Sequence, residues 1–259
     1  MKNIILTKED NIGILTINRP QVKNALNMEA YDDFGRAIEE VAADSNIRAV
    51  VINGEGDSFC TGLDLKFAST LNTFTVLEME NLMKRLQHIF AFENLKKPVI
   101  SAVHGYALGN GCDIALASDF IIAADNAKFA MAYTNLGLIP DLGGTYRLPK
   151  IVGLVKAREL ILTGKQIDAS EALSIGMVLQ VVPADQLMTK AMAFANKLAK
   201  RAPLAMAMAK KAINKGLETD LVTACDFEAA LQNICLKSED VNEAILAFVE
   251  KRAPVFSGK

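Results

Sequence analysis

Two glycine-rich turns hold the residue types that can do chemistry in this chain. One is Ser58-Phe59-Cys60-Thr61-Gly62-Leu63-Asp64-Leu65; the other is His104-Gly105-Tyr106-Ala107-Leu108-Gly109-Asn110-Gly111-Cys112-Asp113. Each leaves a strand-like run and enters a helix-like one. Glycine allows close backbone approach to a ligand and positive φ, and a helix N-terminus presents unpaired N–H groups. Two such turns facing one another can aim two backbone donors at one oxygen, each worth about 2.7–4 kcal/mol to a transition state that charges that oxygen. A carboxylate beside such a hole is a natural general acid or base, most effective when partial burial lifts its pKa toward the working pH.

Other chemistries fit less well. Gly109-x-Gly111 suggests a dinucleotide fold, but Ile114 stands where the third glycine belongs. A structural role is the default for one glycine turn and a weaker account of two with acids nearby. No His/Cys/Asp set has metal-ligand spacing, so no metal is expected. Cys60, Cys112, Cys225 and Cys235 show no Cys-x-x-Cys spacing and read as reduced thiols of a cytoplasmic protein. His88, among apolar neighbours on a helix, is expected to be packed, and His104, in its turn, to hydrogen-bond backbone.

The elements that must position these turns alternate between strand and helix. Ile12 to Asn18 alternates apolar and polar residues as a half-buried strand does. Met28 to Ala42 repeats apolar residues at helical spacing. Ala49-Val50-Val51-Ile52 is a short β-branched strand stopped by Asn53-Gly54-Glu55-Gly56, and Phe74 to Leu95 reads as one long helix. Lys97-Pro98 ends that helix and opens a buried strand, Val99 to Val103. This rhythm implies α/β layering. Beyond Pro183 the pattern becomes helical throughout: Leu187 to Ala199, Leu204 to Leu217, Leu221 to Leu236 and Glu239 to Glu250. Pro203 suits a first helical turn and Ser238 an N-cap. The Ala- and Met-rich spacing of this tail reads as core or subunit interface, and no internal repeat is visible.

With 259 residues and 51% apolar content, the chain has ample material for a core. A formal charge of -2 and the lack of a basic stripe argue against a nucleic-acid partner. Lys8, Glu9 and Asp10 interrupt the N-terminal apolar stretch before an export signal can form. The most apolar region, Pro98 to Ala124, is broken by His104, Asp113, Asp119 and four glycines, so no membrane span is expected.

Several motifs in order carry a family resemblance. They are Asn18-Arg19-Pro20 with Asn24-Ala25-Leu26-Asn27; Phe59 to Lys66; Lys97 to Val103; Gly105 to Asp113; Gly137-Leu138-Ile139-Pro140 with Gly143-Gly144-Thr145; Leu162-Thr163-Gly164; and Ala247 to Arg252. Across almost its whole length the chain resembles the crotonase (enoyl-CoA hydratase/isomerase) superfamily. That resemblance implies a crotonase (ClpP-like) α/β spiral of β-β-α units over residues 1–185 and a helical trimerisation region over 186–259. It also implies a homotrimer or dimer of trimers, an acyl-CoA thioester substrate and no cofactor beyond the coenzyme A that the substrate brings.

The resemblance places the oxyanion donors at the backbone N–H groups of Leu63 and Asn110. The family usually has glycine at position 110; asparagine's tolerance of left-handed backbone is expected to preserve the hole. Typical hydratases have two glutamates flanking a water. Asp113 matches the first, and Tyr133 matches the second, although a phenol is a poor base at neutral pH. Asp141 stands where family members that shift double bonds, including dienoyl-CoA isomerases, carry an acid; alternatively it caps the helix near Leu142. Asp64 and Asp119 read as a cap and a turn residue. Val22 to Ala25 and Leu63 to Lys66 are expected to line the CoA path, which brings in Lys23, Ala25, Asp64, Leu65 and Lys66, with Lys66 the first choice of cation. The expected reaction is double-bond isomerisation of an enoyl- or dienoyl-CoA. Alternatives are hydration of a 2-enoyl-CoA and a non-catalytic CoA-binding member. Aryl-CoA dehalogenases place a nucleophilic Asp at position 141 but need a Trp, which this chain lacks.

Overall fold

A computed structural model describes residues 1–259, apart from the side chain of His88; the expectation that His88 is packed therefore lies outside the described residues. In chain order the strands are β1 (Ile4–Glu9), β2 (Ile12–Ile17), β3 (Ala49–Gly54), β4 (Val99–Val103), β5 (Tyr106–Leu108), β6 (Phe120–Ala124), β7 (Lys128–Ala130), β8 (Ile167–Asp168) and β9 (Gln180–Val182). The helices are α1 (Met28–Ala43), α2 (Leu65–Ala68), α3 (Val76–His88), α4 (Asn110–Ala117), α5 (Gly144–Val152), α6 (Leu154–Thr163), α7 (Ala169–Ser174), α8 (Leu187–Ala199), α9 (Pro203–Gly216), α10 (Leu221–Cys235) and α11 (Glu239–Glu250).

One sheet has six strands in the order β1-β2-β3-β4-β6-β9, parallel except for the β1/β2 hairpin. A second joins β5, β7 and β8. The β-branched runs predicted as strands form the centre of the large sheet because both of its faces are covered. Side-chain alternation divides them between two cores. Val50 and Ile52 face a core shared with Phe34 and Ile38 of α1, while Ala49 and Val51 face Leu187, Ala191, Ala195 and Ala199 of α8. The four-residue spacing along α8 makes the apolar stripe that covers this second face.

Local chemistry sets the boundaries. Asn27 caps α1, its side chain accepting from Ala30 N at 3.0 Å. Thr75 and Glu78 form a reciprocal capping box that starts α3. The single helix expected over Phe74 to Leu95 is corrected: α3 stops at His88, and Ile89–Asn94 tightens into a 3-10 helix. That winding aligns residues three apart, so Ile89 and Phe92 enter the core together. Pro203 opens α9 as expected. Ser238 occupies the N-cap of α11, but its hydroxyl donates to Cys235 O at 2.7 Å and caps nothing. No helix among the described residues is long and apolar enough to cross a membrane.

Candidate active site

Main-chain bonds zip the two glycine turns together. Phe59 N donates to His104 O at 2.9 Å, Cys60 N to Tyr106 O at 2.9 Å, and Leu108 N to Cys60 O at 3.0 Å. The first turn is tied in the same way to the segment before α1: Leu26 N donates to Gly62 O at 2.7 Å and Asp64 N to Leu26 O at 3.0 Å. Such close approach requires glycine. A Cβ on Gly62, which sits at φ +90, would lie 2.7 Å from Leu108 O and 3.1 Å from Asn110 N. The N–H groups of Leu63 and Asn110 therefore lie at adjoining turns, and among the described residues neither has a hydrogen-bond acceptor. Asn110 opens α4, where N–H groups have no intrahelical acceptor.

Below these donors lies a buried polar chain. Asp113, in the first turn of α4, is 0% exposed. The Tyr133 hydroxyl lies within hydrogen-bond distance of Asp113 Oδ2 and 2.8 Å from Asn110 Oδ1. Asn110 Nδ2 donates to the Tyr31 hydroxyl. Asp113 Oδ1 is buried without a hydrogen-bond partner among the described residues. Burial is the main cause that pushes the Asp113 carboxyl up to about 7; the Tyr133 hydrogen bond and Arg147 pull it down, and the Asp141 charge raises it. Burial, followed by the charge of and bond to Asp113, moves the Tyr133 phenol far above its ordinary value. Tyr133 is therefore neutral and no base.

Asp141 lies on the segment between Tyr133 and α5. Desolvation raises its carboxyl pKa although the residue as a whole remains exposed. Arg147 of α5 holds the end of this segment. Its Nη1 donates to Leu142 O at 2.7 Å, and its Nε and Nη2 bind the Glu93 carboxylate as a fork, both at 2.6 Å.

The sequence model of the enoyl-CoA hydratase/isomerase family matches residues 7–259. The chain belongs to that family. It is 41% identical to a short-chain-enoyl-CoA hydratase of Clostridium acetobutylicum over 97% of this chain and 96% of the relative. It is 36% identical to the 1,2-epoxyphenylacetyl-CoA isomerase of Escherichia coli over the full length of both. Among solved structures, an enoyl-CoA hydratase from Bacillus anthracis superposes with a TM-score of 0.94 at 34% identity, covering 99% of this chain and 100% of that one. The fold is the crotonase fold.

Within this enoyl-CoA hydratase/isomerase fold, Leu63, Asn110, Asp113 and Tyr133 come together, and the Asp141 charge acts on Asp113 and Tyr133. One expectation is corrected and one alternative reading falls. Asn110 is helical rather than left-handed, and the positive φ, +50, falls on Gly109, whose missing Cβ makes it cheap. Asp141 is not a cap: α5 begins behind Gly143, and no side chain caps it. Asp64 does cap α2, accepting from Lys66 N at 3.0 Å, and it pairs with Arg19 at 3.1 Å. The Asp119 carboxylate accepts from Val99 N at 2.8 Å and from Lys210 at 2.7 Å. His104 Nε2 contacts Gly56 O at 3.0 Å, the backbone bond expected of it.

The two segments expected along the CoA path lie side by side. Lys23 O accepts from Thr61 N at 3.2 Å, and Lys23 Nζ lies over the exposed Tyr106 ring, 4.9 Å from its centroid. Ala25 is buried and its carbonyl accepts from Arg19, whereas Leu65 and Lys66 are exposed on α2. Sequence reasoning passed over Tyr31, Arg147 and Glu93. Tyr31 interrupts no helical pattern, and an Arg–Glu pair 54 residues apart leaves no local signal.

Proposed function

We propose that this chain is an enoyl-CoA isomerase, shifting the double bond of an enoyl- or dienoyl-CoA. One observation carries the reading: the position that matches the hydratases' second glutamate holds a neutral phenol, Tyr133, turned onto Asp113. The pair of carboxylates that would hold an attacking water is therefore incomplete, and the second acid is Asp141. In this reading the N–H groups of Leu63 and Asn110 donate to the thioester oxygen, stabilising the charge that forms when a proton leaves the neighbouring carbon. Asp141 takes that proton, and the Asp113 side returns one at the far end of the conjugated system. Lys23, Ala25, Asp64, Leu65 and Lys66 line the path of the CoA moiety.

The chain is proposed to work as a homotrimer or dimer of trimers. Support comes from the solvent-facing apolar residues of α10 and α11, among them Val222, Ile234, Ile245 and Phe248, the last 85% exposed. A cytoplasmic location is supported by the free state of its cysteines. Hydration of a 2-enoyl-CoA is the second reading, favoured by the similarity to the Clostridium short-chain-enoyl-CoA hydratase. Incubation with 2-enoyl-, 3-enoyl- and dienoyl-CoAs tests the two. Isomerised products are expected, and Tyr133→Glu should raise water addition to crotonyl-CoA above wild type. Wild-type hydration of crotonyl-CoA at about 10 per second or faster, an ordinary enzyme turnover, would reverse the order of the two readings.

A further inference from the structure

The chain Asp113–Tyr133–Asn110–Tyr31 is buried along its whole length, with exposures of 0%, 6%, 5% and 1%. Its protons can be counted. Asn110 presents Nδ2 to Tyr31, so Oδ1 is the atom facing Tyr133. An amide oxygen only accepts, so the single Tyr133 proton is needed there. The contact between Tyr133 and Asp113 Oδ2 then has a donor only if the carboxyl carries a proton. With Asp113 ionised, Tyr133 would turn its proton to the carboxylate and leave Asn110 Oδ1 without a donor in a closed site, a loss of about 1–3 kcal/mol.

The Asp113 carboxyl is also closed to solvent. Oδ1 lies against Gly144, where a Cβ would overlap it, with Met131 beside it. Oδ2 faces Tyr133. The Tyr133 ring lies beside the donor turn, 3.9 Å from where a Cβ on Gly109 would stand. The phenol ring thus lies beside the turn that carries the Asn110 N–H.

We propose that the Asn110 side chain orients this hydrogen-bond chain so that Asp113 rests protonated, and that the Tyr133 hydroxyl hands the Asp113 proton to the substrate carbon. The hand-over rests on the isomerase reading. In it, the Tyr133 O–H bond breaks as a C–H bond forms at the far end of the conjugated enolate, Asp141 having taken the proton beside the thioester. The Asp113 proton moves onto the Tyr133 oxygen. Carbon gains one proton, Asp113 becomes a carboxylate, and Tyr133 ends neutral with its new proton turned to that carboxylate until Asp113 is reprotonated. Asn110 is a positioning residue through its side chain. The charged and titratable groups bearing on Asp113 are Arg147, itself paired with Glu93, together with Asp141, Tyr133, Tyr31 and the buried Cys112 thiol.

The test reads Asp113 directly. Carboxyl 13C NMR of Asp-labelled protein, titrated between pH 4 and 9 with the Asp113 signal identified by its loss in Asp113→Asn, needs no substrate. The wild-type signal is expected to titrate near 7. Asn110→Gly frees Tyr133 to serve the carboxylate and should lower that midpoint by at least one unit. Tyr133→Phe removes the carboxylate's donor and should raise it. Simple loosening of the site, with water entering, would lower both. In parallel, Tyr133→Phe should lose about 100-fold in isomerisation kcat with KM little changed, the size of a general acid contribution. An unshifted midpoint in Asn110→Gly, or a wild-type midpoint in the ordinary carboxylate range, overturns the protonated resting state. Full kcat in Tyr133→Phe overturns the hand-over. If no enoyl-CoA is isomerised, the isomerase reading and the hand-over fall together, and the titration still upholds or overturns the protonated state.

Discussion

Gly144 leaves the space that the Asp113 carboxyl fills: a Cβ at position 144 would overlap Asp113 Oδ1 and the Met131 methyl, and would lie 3.3 Å from Pro140 Cβ. Methionine's flexible end can move away, but Asp113 cannot without leaving Tyr133. Gly144→Ala should therefore cost about 1–3 kcal/mol, the usual range for overpacking, and depress activity with it. Thermal melts and turnover on a common substrate check this. A variant with wild-type melting temperature and rate would show that the carboxyl has room to retreat.

Asp141 caps no helix and is exposed, so its carboxyl has little structural duty. Asp141→Asn should lose at least about 100-fold in turnover while the melting temperature hardly moves. Retained activity would remove Asp141 from the proton path and the isomerase reading with it.

As the first residue of α4, position 110 tolerates proline well, because the missing N–H is one that the helix does not use. Asn110→Pro deletes the proposed oxyanion donor and should cost about 2.7–4 kcal/mol in kcat/KM. Asn110→Gly keeps the N–H and should stay within roughly tenfold of wild type at its own pH optimum, if a one-unit shift in Asp113 is all that changes. If a folded proline variant matches the glycine variant, the donor lies elsewhere.

Burial of Asp113 makes stability depend on pH. Below about pH 4 folded and unfolded chains both hold the proton. From the ordinary Asp value of about 3.9 up to about 7, the unfolded chain releases the proton while the folded one keeps it. Stability then falls by about 1.4 kcal/mol per pH unit. Above that window both forms are ionised and the loss is complete. Asp113→Asn does not titrate, so its melting temperature should gain on wild type from pH 4 to about pH 7 and level off above that. A constant difference across that range would mean that the Asp113 carboxyl ionises in the folded protein as easily as in the unfolded one.

The strand–helix rhythm, the two glycine turns and the candidate positions 113, 133 and 141 were legible because each rests on local spacing or on motifs in order. The burial of Tyr133 and its bond to Asp113 were not, since a Phe-Ala-Met-Ala-Tyr run fits a strand edge and a core equally well. The Asn110–Tyr31 bond joins residues 79 apart, and nothing near Tyr31 announces it. The bend after His88 was missed because Ile89, Phe90 and Phe92 continue an apolar stripe that α-helical and 3-10 winding both satisfy.

The main-chain ladder from Leu26 through Leu63 and from Cys60 to Ala107 has an evolutionary consequence. Rungs made of N–H and C=O groups do not depend on which side chains flank them, provided the glycines stay small. The proposed proton traffic, by contrast, is written in side chains at three positions carried on α4, on the turn after β7 and ahead of α5. On the proposed assignment, a lineage can exchange one reaction for another by codon changes at those three positions, while the cradle proposed for the thioester oxygen is inherited unchanged.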